Sequence, residues 1–73
     1  MLTYLIVVEL REMKGYLAVT TDQDDELVAR VAINREDASV FSNEQVEKLI
    51  PEIRSKNPEL TVYHETFKEV VLQ

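Results

Sequence analysis

The feature that most constrains this chain is its first segment, residues 3–10, which is apolar on both sides if it forms a strand. The run is short and rich in aromatic and β-branched residues, so it predicts a β-strand rather than a helix. Apolar residues occupy both parities, with Tyr4, Ile6 and Val8 on one side and Leu5 and Val7 on the other. A strand with two apolar faces is usually central in its sheet, with both faces covered.

A hairpin is expected directly after this strand. Residues 12–15 have the sequence Glu-Met-Lys-Gly, which is typical of a tight reversal with Gly15 at a positive φ. Residues 16–21, Tyr-Leu-Ala-Val-Thr-Thr, then form the returning strand.

Residues 22–34 fit either of two structures. As a strand over 27–33, the segment places one apolar set on one side, namely Leu27, Ala29, Val31 and Ile33. Three β-branched residues among these seven favour this strand. As a helix, the segment would begin at Thr21 or Asp22, and its acidic run would lie at the positive end of the helix dipole.

The most regular helix pattern covers residues 43–56. Ser42 and Gln45 form the Ser-x-x-Gln version of a capping box at its start. The apolar positions form one stripe, consisting of Val46, Leu49, Ile50 and Ile53. Pro51 lies about 140° around the helix axis from this stripe. It is therefore expected to face solvent and to curve the apolar stripe around its packing partner.

Residues 60–67 alternate between the two parities and predict a final strand, which the short tail 70–72, Val-Val-Leu, could extend. The chain is then a single small globular domain spanning 1–73. Its fold class is α+β, with a small, mostly antiparallel sheet in the order β-β-β-α-β and one helix packed on one face. If residues 22–34 are helical instead, the order is β-β-α-α-β.

The number of apolar faces exceeds what one helix can cover, and this shortage predicts a binding surface. Monomers rarely expose several large apolar residues together, and aromatic anchors carry much of the energy of interfaces. The expected interaction surface is the second sheet face, comprising Tyr4, Tyr63 and Phe67 with Leu5 and Val7. We expect a non-enzymatic protein-interaction module that acts as a homodimer or bound to another protein.

Catalytic, metal and cofactor chemistry have little support in the sequence. The only histidine, His64, is flanked in a strand by Tyr63 and Glu65 on the opposite face, so no acid orients it locally. The acidic run from Asp22 resembles a calcium loop, but a leucine stands at its sixth position and an isoleucine at its twelfth. A single glycine cannot form a phosphate-binding loop. We expect no enzyme, no metal and no cofactor.

A formal net charge of −6 argues against direct binding to nucleic acid, which requires basic residues to replace phosphate counterions. It argues equally against docking on an anionic membrane. The opening apolar run has neither the basic flank of a signal peptide nor the length of about 20 residues that a membrane span needs. The sequence also lacks cysteine, which fits a cytoplasmic protein.

An alternative function follows from the acidity itself. An acidic protein can inhibit a DNA- or RNA-handling protein by occupying its basic groove. The candidate acidic patch is one local run, comprising Asp22, Asp24, Asp25 and Glu26, with Glu36 and Asp37 as possible continuations. Duplex DNA carries one charge per about 1.7 Å of axis, so six net charges over a whole surface imitate it poorly.

Overall fold

The computed structural model describes residues 2–67. It contains β1 (Thr3–Leu10), β2 (Met13–Thr21), β3 (Leu27–Ala32), a 3-10 turn (Arg35–Asp37), α1 (Asn43–Lys56) and β4 (Thr61–Phe67). The four strands form one antiparallel sheet in the spatial order β3-β2-β1-β4. The predicted α+β class and the β-β-β-α-β order are confirmed, with residues 27–32 in a strand. The predicted extension at 70–72 lies outside the described residues.

The first hairpin turns earlier than the sequence predicts. β1 and β2 pair as far as Leu10 opposite Met13, so the loop consists of Arg11 and Glu12, and Arg11 has a φ of 58°. Gly15 lies within β2 and does not have a positive φ. The predicted reversal at 12–15 was therefore wrong: of these residues only Glu12 lies in the turn, and Met13, Lys14 and Gly15 continue the strand ladder.

The loop of the second hairpin explains why the acidic run does not start a helix. One carboxylate oxygen of Asp22 accepts hydrogen bonds from the backbone N–H groups of Asp24 (2.8 Å) and Glu26 (3.0 Å). Asp25 has a φ of 59°, which reverses the chain direction. A side chain that bonds its own backbone two residues later typically closes a turn. The chain therefore returns along β2 as β3.

One face of the sheet, here called the helix side, packs against α1. Ser42 caps the helix as predicted: its Oγ accepts from Gln45 N–H (3.3 Å), and Gln45 Oε1 accepts from Ser42 N–H (2.9 Å). Pro51 is exposed within the helix, also as predicted. The buried core on this side consists of Ile6, Leu17, Phe41, Val46, Ile50 and Val62.

Residues 39–41 pass between β1 and β2 at the open end of the first hairpin. The backbones of Phe41 and Tyr4 exchange two hydrogen bonds (2.8 and 2.9 Å), while Ser39 N–H donates to Leu17 O (3.2 Å). The β1–β2 ladder covers only Val7–Leu10 with Met13–Tyr16, which leaves room for this insertion. The segment carries the chain from the face opposite α1, here called the second face, to the helix side.

Candidate functional site

The predicted interaction surface does not form one face, because Tyr4 lies on the helix side. Its ring packs against the buried core there and meets the His64 ring edge-to-face, with centroids 5.2 Å apart and planes at 88°. The grouping of Tyr4 with Tyr63 and Phe67 was therefore wrong. Tyr4 belongs to the parity of Ile6, which faces α1.

Leu5 and Val7 do lie on the second face, but neither has any exposed surface. Val7 is flanked by its cross-strand partners Tyr16 and Tyr63. Leu5 lines a cleft under the 3-10 turn together with Ala38 and Phe67. The chain thus covers the centre of its second face with two tyrosines and an irregular segment. The expectation that both residues lie on an exposed surface is corrected.

Tyr63 and Phe67 are half-buried and surrounded by charged groups. The Arg35 guanidinium lies 5.9 Å from the centre of the Phe67 ring, and its Nε is 3.6 Å from Glu65 Oε1. Lys14 Nζ lies 5.7 Å from the centre of the Tyr16 ring. The exposed part of this face therefore alternates aromatic rings with charges of both signs.

Burial and the charges on the second face shift the pKa values of two of its residues, Tyr63 and Lys14. Burial raises the pKa of Tyr63 from its ordinary value, and the nearby Glu9 carboxylate raises it further. The pKa of Lys14 is also raised, first by the phenol groups of Tyr16 and Tyr63 and then by carboxylates. Both groups hold their protons more tightly in the folded chain than in isolation.

Five of the seven large hydrophobic side chains that are exposed among residues 2–67 lie on the helix side near β3. They are Leu10, Met13, Leu27, Val31 and Ile33, which we call the β3 patch. Leu27, Met13 and Ile33 are 77%, 74% and 80% exposed, respectively. Leu10, Met13, Val31 and Ile33 line one cleft of about 230 Å³ with Leu60. Leu27 lies farther along β3 on the same side of the sheet.

The position of α1 explains this exposure. The helix packs over β1 and β4, and β3 is two strands away from β1 at the opposite edge of the sheet. An α-helix with its side chains is about 10–12 Å wide, whereas adjacent strands are about 4.8 Å apart. One helix therefore covers two or three strands. The uncovered apolar surface is therefore on the helix side, over β3, and not on the second face as the sequence suggested.

β3 also presents unpaired backbone groups at its outer edge. Leu17 and Val19 of β2 direct their backbone polar groups toward Ser39, on the β1 side. Because residues of an antiparallel ladder alternate, the β2 residues between and beside them bond to β3. Their partners are Val28, Arg30 and Ala32. The backbone groups of Leu27, Ala29 and Val31 therefore face outward, and nothing within residues 2–67 pairs with them.

The other sheet edge, on β4, is protected. Arg54 of α1 donates to the Val62 carbonyl oxygen through Nε (3.1 Å) and Nη2 (2.6 Å). Covering part of a sheet edge with a helix is a common device against pairing with another chain. Within the described part of the chain, β3 is therefore the edge that is both apolar and open.

The remaining candidate residues form no reactive cluster. The Asp22 carboxylate is engaged in closing its loop, and no group of three potential metal ligands occurs among residues 2–67. A cleft of about 360 Å³ between α1 and β4 includes His64, Arg54 and Glu47, but its walls are mainly apolar. No helix in the described range has the length and apolar character needed to cross a membrane.

Comparison with protein-family models, curated proteins and solved structures finds no match to this chain. The function is therefore argued from the geometry of the molecule.

Sequence reasoning missed the β3 patch, although its signal was present. The alternation of Leu27, Ala29, Val31 and Ile33 showed an apolar side for this strand. The alternation did not predict where this strand lies in the sheet relative to the helix. That position is set by the pairing order of the whole sheet.

Proposed function

We propose that this chain is a small acidic, non-enzymatic protein-interaction module that binds a second copy of itself or a different protein through the β3 patch. The observation that supports the proposal is the exposure of five large apolar side chains on one side of the sheet. Monomeric proteins rarely leave such residues together in solvent. The proposal includes a cytoplasmic location, consistent with a cysteine-free sequence.

The composition of the patch supports an interface. The centres of protein interfaces are depleted in charged residues and enriched in methionine and aromatic residues. Met13 provides an adaptable side chain beside the branched Val31 and Ile33, and Lys14 lies at the margin of the same cleft. Full burial of one such apolar side chain contributes about 1.5–3 kcal/mol.

A photocrosslinking experiment tests the proposal. The photoreactive residue benzoylphenylalanine replaces Ile33, and the purified chain is irradiated alone and in an extract of the cells that produce it. We expect a covalent adduct of defined mass. Val31→Asp should reduce its yield at least tenfold, because a carboxylate in an apolar interface loses its hydration without gaining a partner.

The matched control is Thr66→Asp, which adds the same charge at an exposed strand position on β4 opposite Tyr4. This variant should leave the adduct unchanged. Absence of an adduct in both samples, or an adduct that Val31→Asp does not reduce, would contradict the proposal.

The alternative of an acidic inhibitor of nucleic-acid-handling proteins has weaker support. Asp22 and Glu26 lie in the second hairpin loop, whereas Glu36 lies in the 3-10 turn, in the cleft with Leu5. On the second face, Lys14 and Arg35 lie among the carboxylates. These mixed charges resemble an ordinary solvated surface more than a row of phosphates.

A further inference from the structure

We infer that the occupant of the β3 edge is a second copy of this chain, paired with β3 in antiparallel orientation about a two-fold axis at Ala29. The inference rests on the proposed function and names its partner. The two sheets would join into one eight-stranded sheet, with both helices on the same side. A two-fold arrangement is the commonest symmetry of soluble oligomers.

The open backbone of β3 is suited to this pairing. Leu27, Ala29 and Val31 direct their N–H and C=O groups outward, as the alternation of the β2–β3 ladder requires. The strand contains neither proline nor lysine, the residues that usually prevent edge pairing. Its one charged side chain, Arg30, belongs to the parity of the second face.

The side chains favour one pairing position. With Ala29 at the axis, each Leu27 lies opposite Val31 of the other copy, so the apolar residues of the two strands form one stripe. With Arg30 at the axis, two arginines would face each other directly, which is destabilising. In the Ala29 arrangement, Arg30 instead lies opposite Val28, and the two arginines are only diagonal to each other, with Glu26 of the other copy at the second diagonal position of each.

The charge before β3 favours antiparallel over parallel orientation. The loop before the strand contains four carboxylates, those of Asp22, Asp24, Asp25 and Glu26. Antiparallel pairing places the acidic loops of the two copies at opposite ends of the joined strands. A parallel arrangement would place acidic loop against acidic loop, which is destabilising.

The position of the helices permits the two copies to approach. Each α1 packs over β1 and β4, away from the β3 edge. The joined β3 strands would therefore form the floor of a groove between the two helices. The apolar side chains of both patches would lie together in that groove.

Single-cysteine variants test the inference cleanly, because the natural chain has no cysteine. Paired residues in an antiparallel ladder have Cα atoms about 4.5–5.5 Å apart, within the range of a disulfide. We expect Ala29→Cys to form a disulfide-linked dimer, under mild oxidation or with a short bismaleimide, at least tenfold faster than Ser55→Cys on the exposed side of α1. Ala29 is itself exposed, so the substitution should not disturb folding.

Leu27→Cys is the matched control on the same side of the same strand. About the Ala29 axis, the two Leu27 residues are displaced by four positions, about 13 Å along the strand. They should not crosslink faster than Ser55→Cys. Sedimentation equilibrium of the unmodified chain should give twice the monomer mass of 8.5 kDa.

A monomer at all concentrations up to about 500 µM, or crosslinking at Ala29 no faster than at Ser55, would overturn the inference. Either result leaves the proposed function standing if photocrosslinking at Ile33 captures a different protein in a Val31-dependent way. If that adduct is also absent, both fail. The two experiments therefore separate the identity of the partner from the existence of the surface.

Discussion

Gly15 illustrates how one residue can be required for a reason that its sequence context does not reveal. The glycine suggested a turn, but it lies in β2 opposite Val8. A Cβ at this position would overlap Cγ1 of Val31 and lie 3.2 Å from the carbonyl oxygen of Ala32. A glycine is needed at position 15 because the Val31 side chain of β3 packs across the β2 backbone there.

We expect Gly15→Ala to destabilise the fold by about 1–3 kcal/mol, the usual cost of overpacking. In a Val31→Ala background the same change should cost less, because the overlapping methyl group is gone. Urea unfolding of the natural chain, the two single variants and the double variant measures both effects. Equal costs in the two backgrounds would show that Val31 is not the obstacle.

The titratable groups of the second face predict a loss of stability at high pH. The pKa values of Tyr63 and Lys14 are raised in the folded state, so the folded chain retains protons that the unfolded chain releases. Their stabilising contribution is complete below the unfolded values near 10.0 and 10.5, and it is lost as the pH rises through the folded values. The thermal midpoint should therefore fall as the pH rises above about 10.

Tyr63→Phe removes one of the two groups and should reduce this fall. Its thermal midpoint at pH 7 serves as the reference for any packing change. An identical alkaline fall in both proteins would exclude Tyr63 as a contributor.

At the scale of elements, local sequence signals explain α1 well and β3 only in part. The capping box, the apolar stripe and the exposed Pro51 were all predicted, because a helix satisfies its hydrogen bonds within about four residues. Residues 22–34 fitted two structures since Asp22 can serve either as a helix cap or as the closing residue of a loop. The hydrogen bonds to Asp24 and Glu26 selected the loop.

Pro51 provides a test of this element. Pro51→Ala should stabilise the chain by about 1–3 kcal/mol, because alanine restores a backbone donor and removes the ring clash in the preceding turn. Ser55→Ala, at another exposed position of α1, should stay within about 0.5 kcal/mol of the natural chain. Thermal or urea unfolding measures both. A loss of stability in Pro51→Ala would mean that the bend is required for packing the apolar stripe.

At the scale of the whole molecule, the cover over each face decides where a partner can bind. The second face is closed by Tyr16, Tyr63 and the segment around the 3-10 turn, so Leu5 and Val7 are buried without another chain. The helix side is closed over β1, β4 and the part of β2 around Leu17, and it is open over β3. The Cα radius of gyration is 12.9 Å, above the roughly 11 Å expected for a compact chain of this length, as befits a broad sheet with a helix over one part.

The sequence by itself determined β1, β2, β4, the helix with its cap and the α+β class, but it left residues 22–34 as either a strand or a second helix. With that segment in a strand, it also indicated that one helix is too little cover. Those features depend on neighbours within a few residues, or on the count of apolar faces. Only the tertiary structure decided that Gly15 lies under Val31, that residues 39–41 pass between β1 and β2, and that the open surface is at β3. Each of these depends on contacts between segments distant in the chain, and such contacts are selected by the packing of the whole sheet rather than by local propensity.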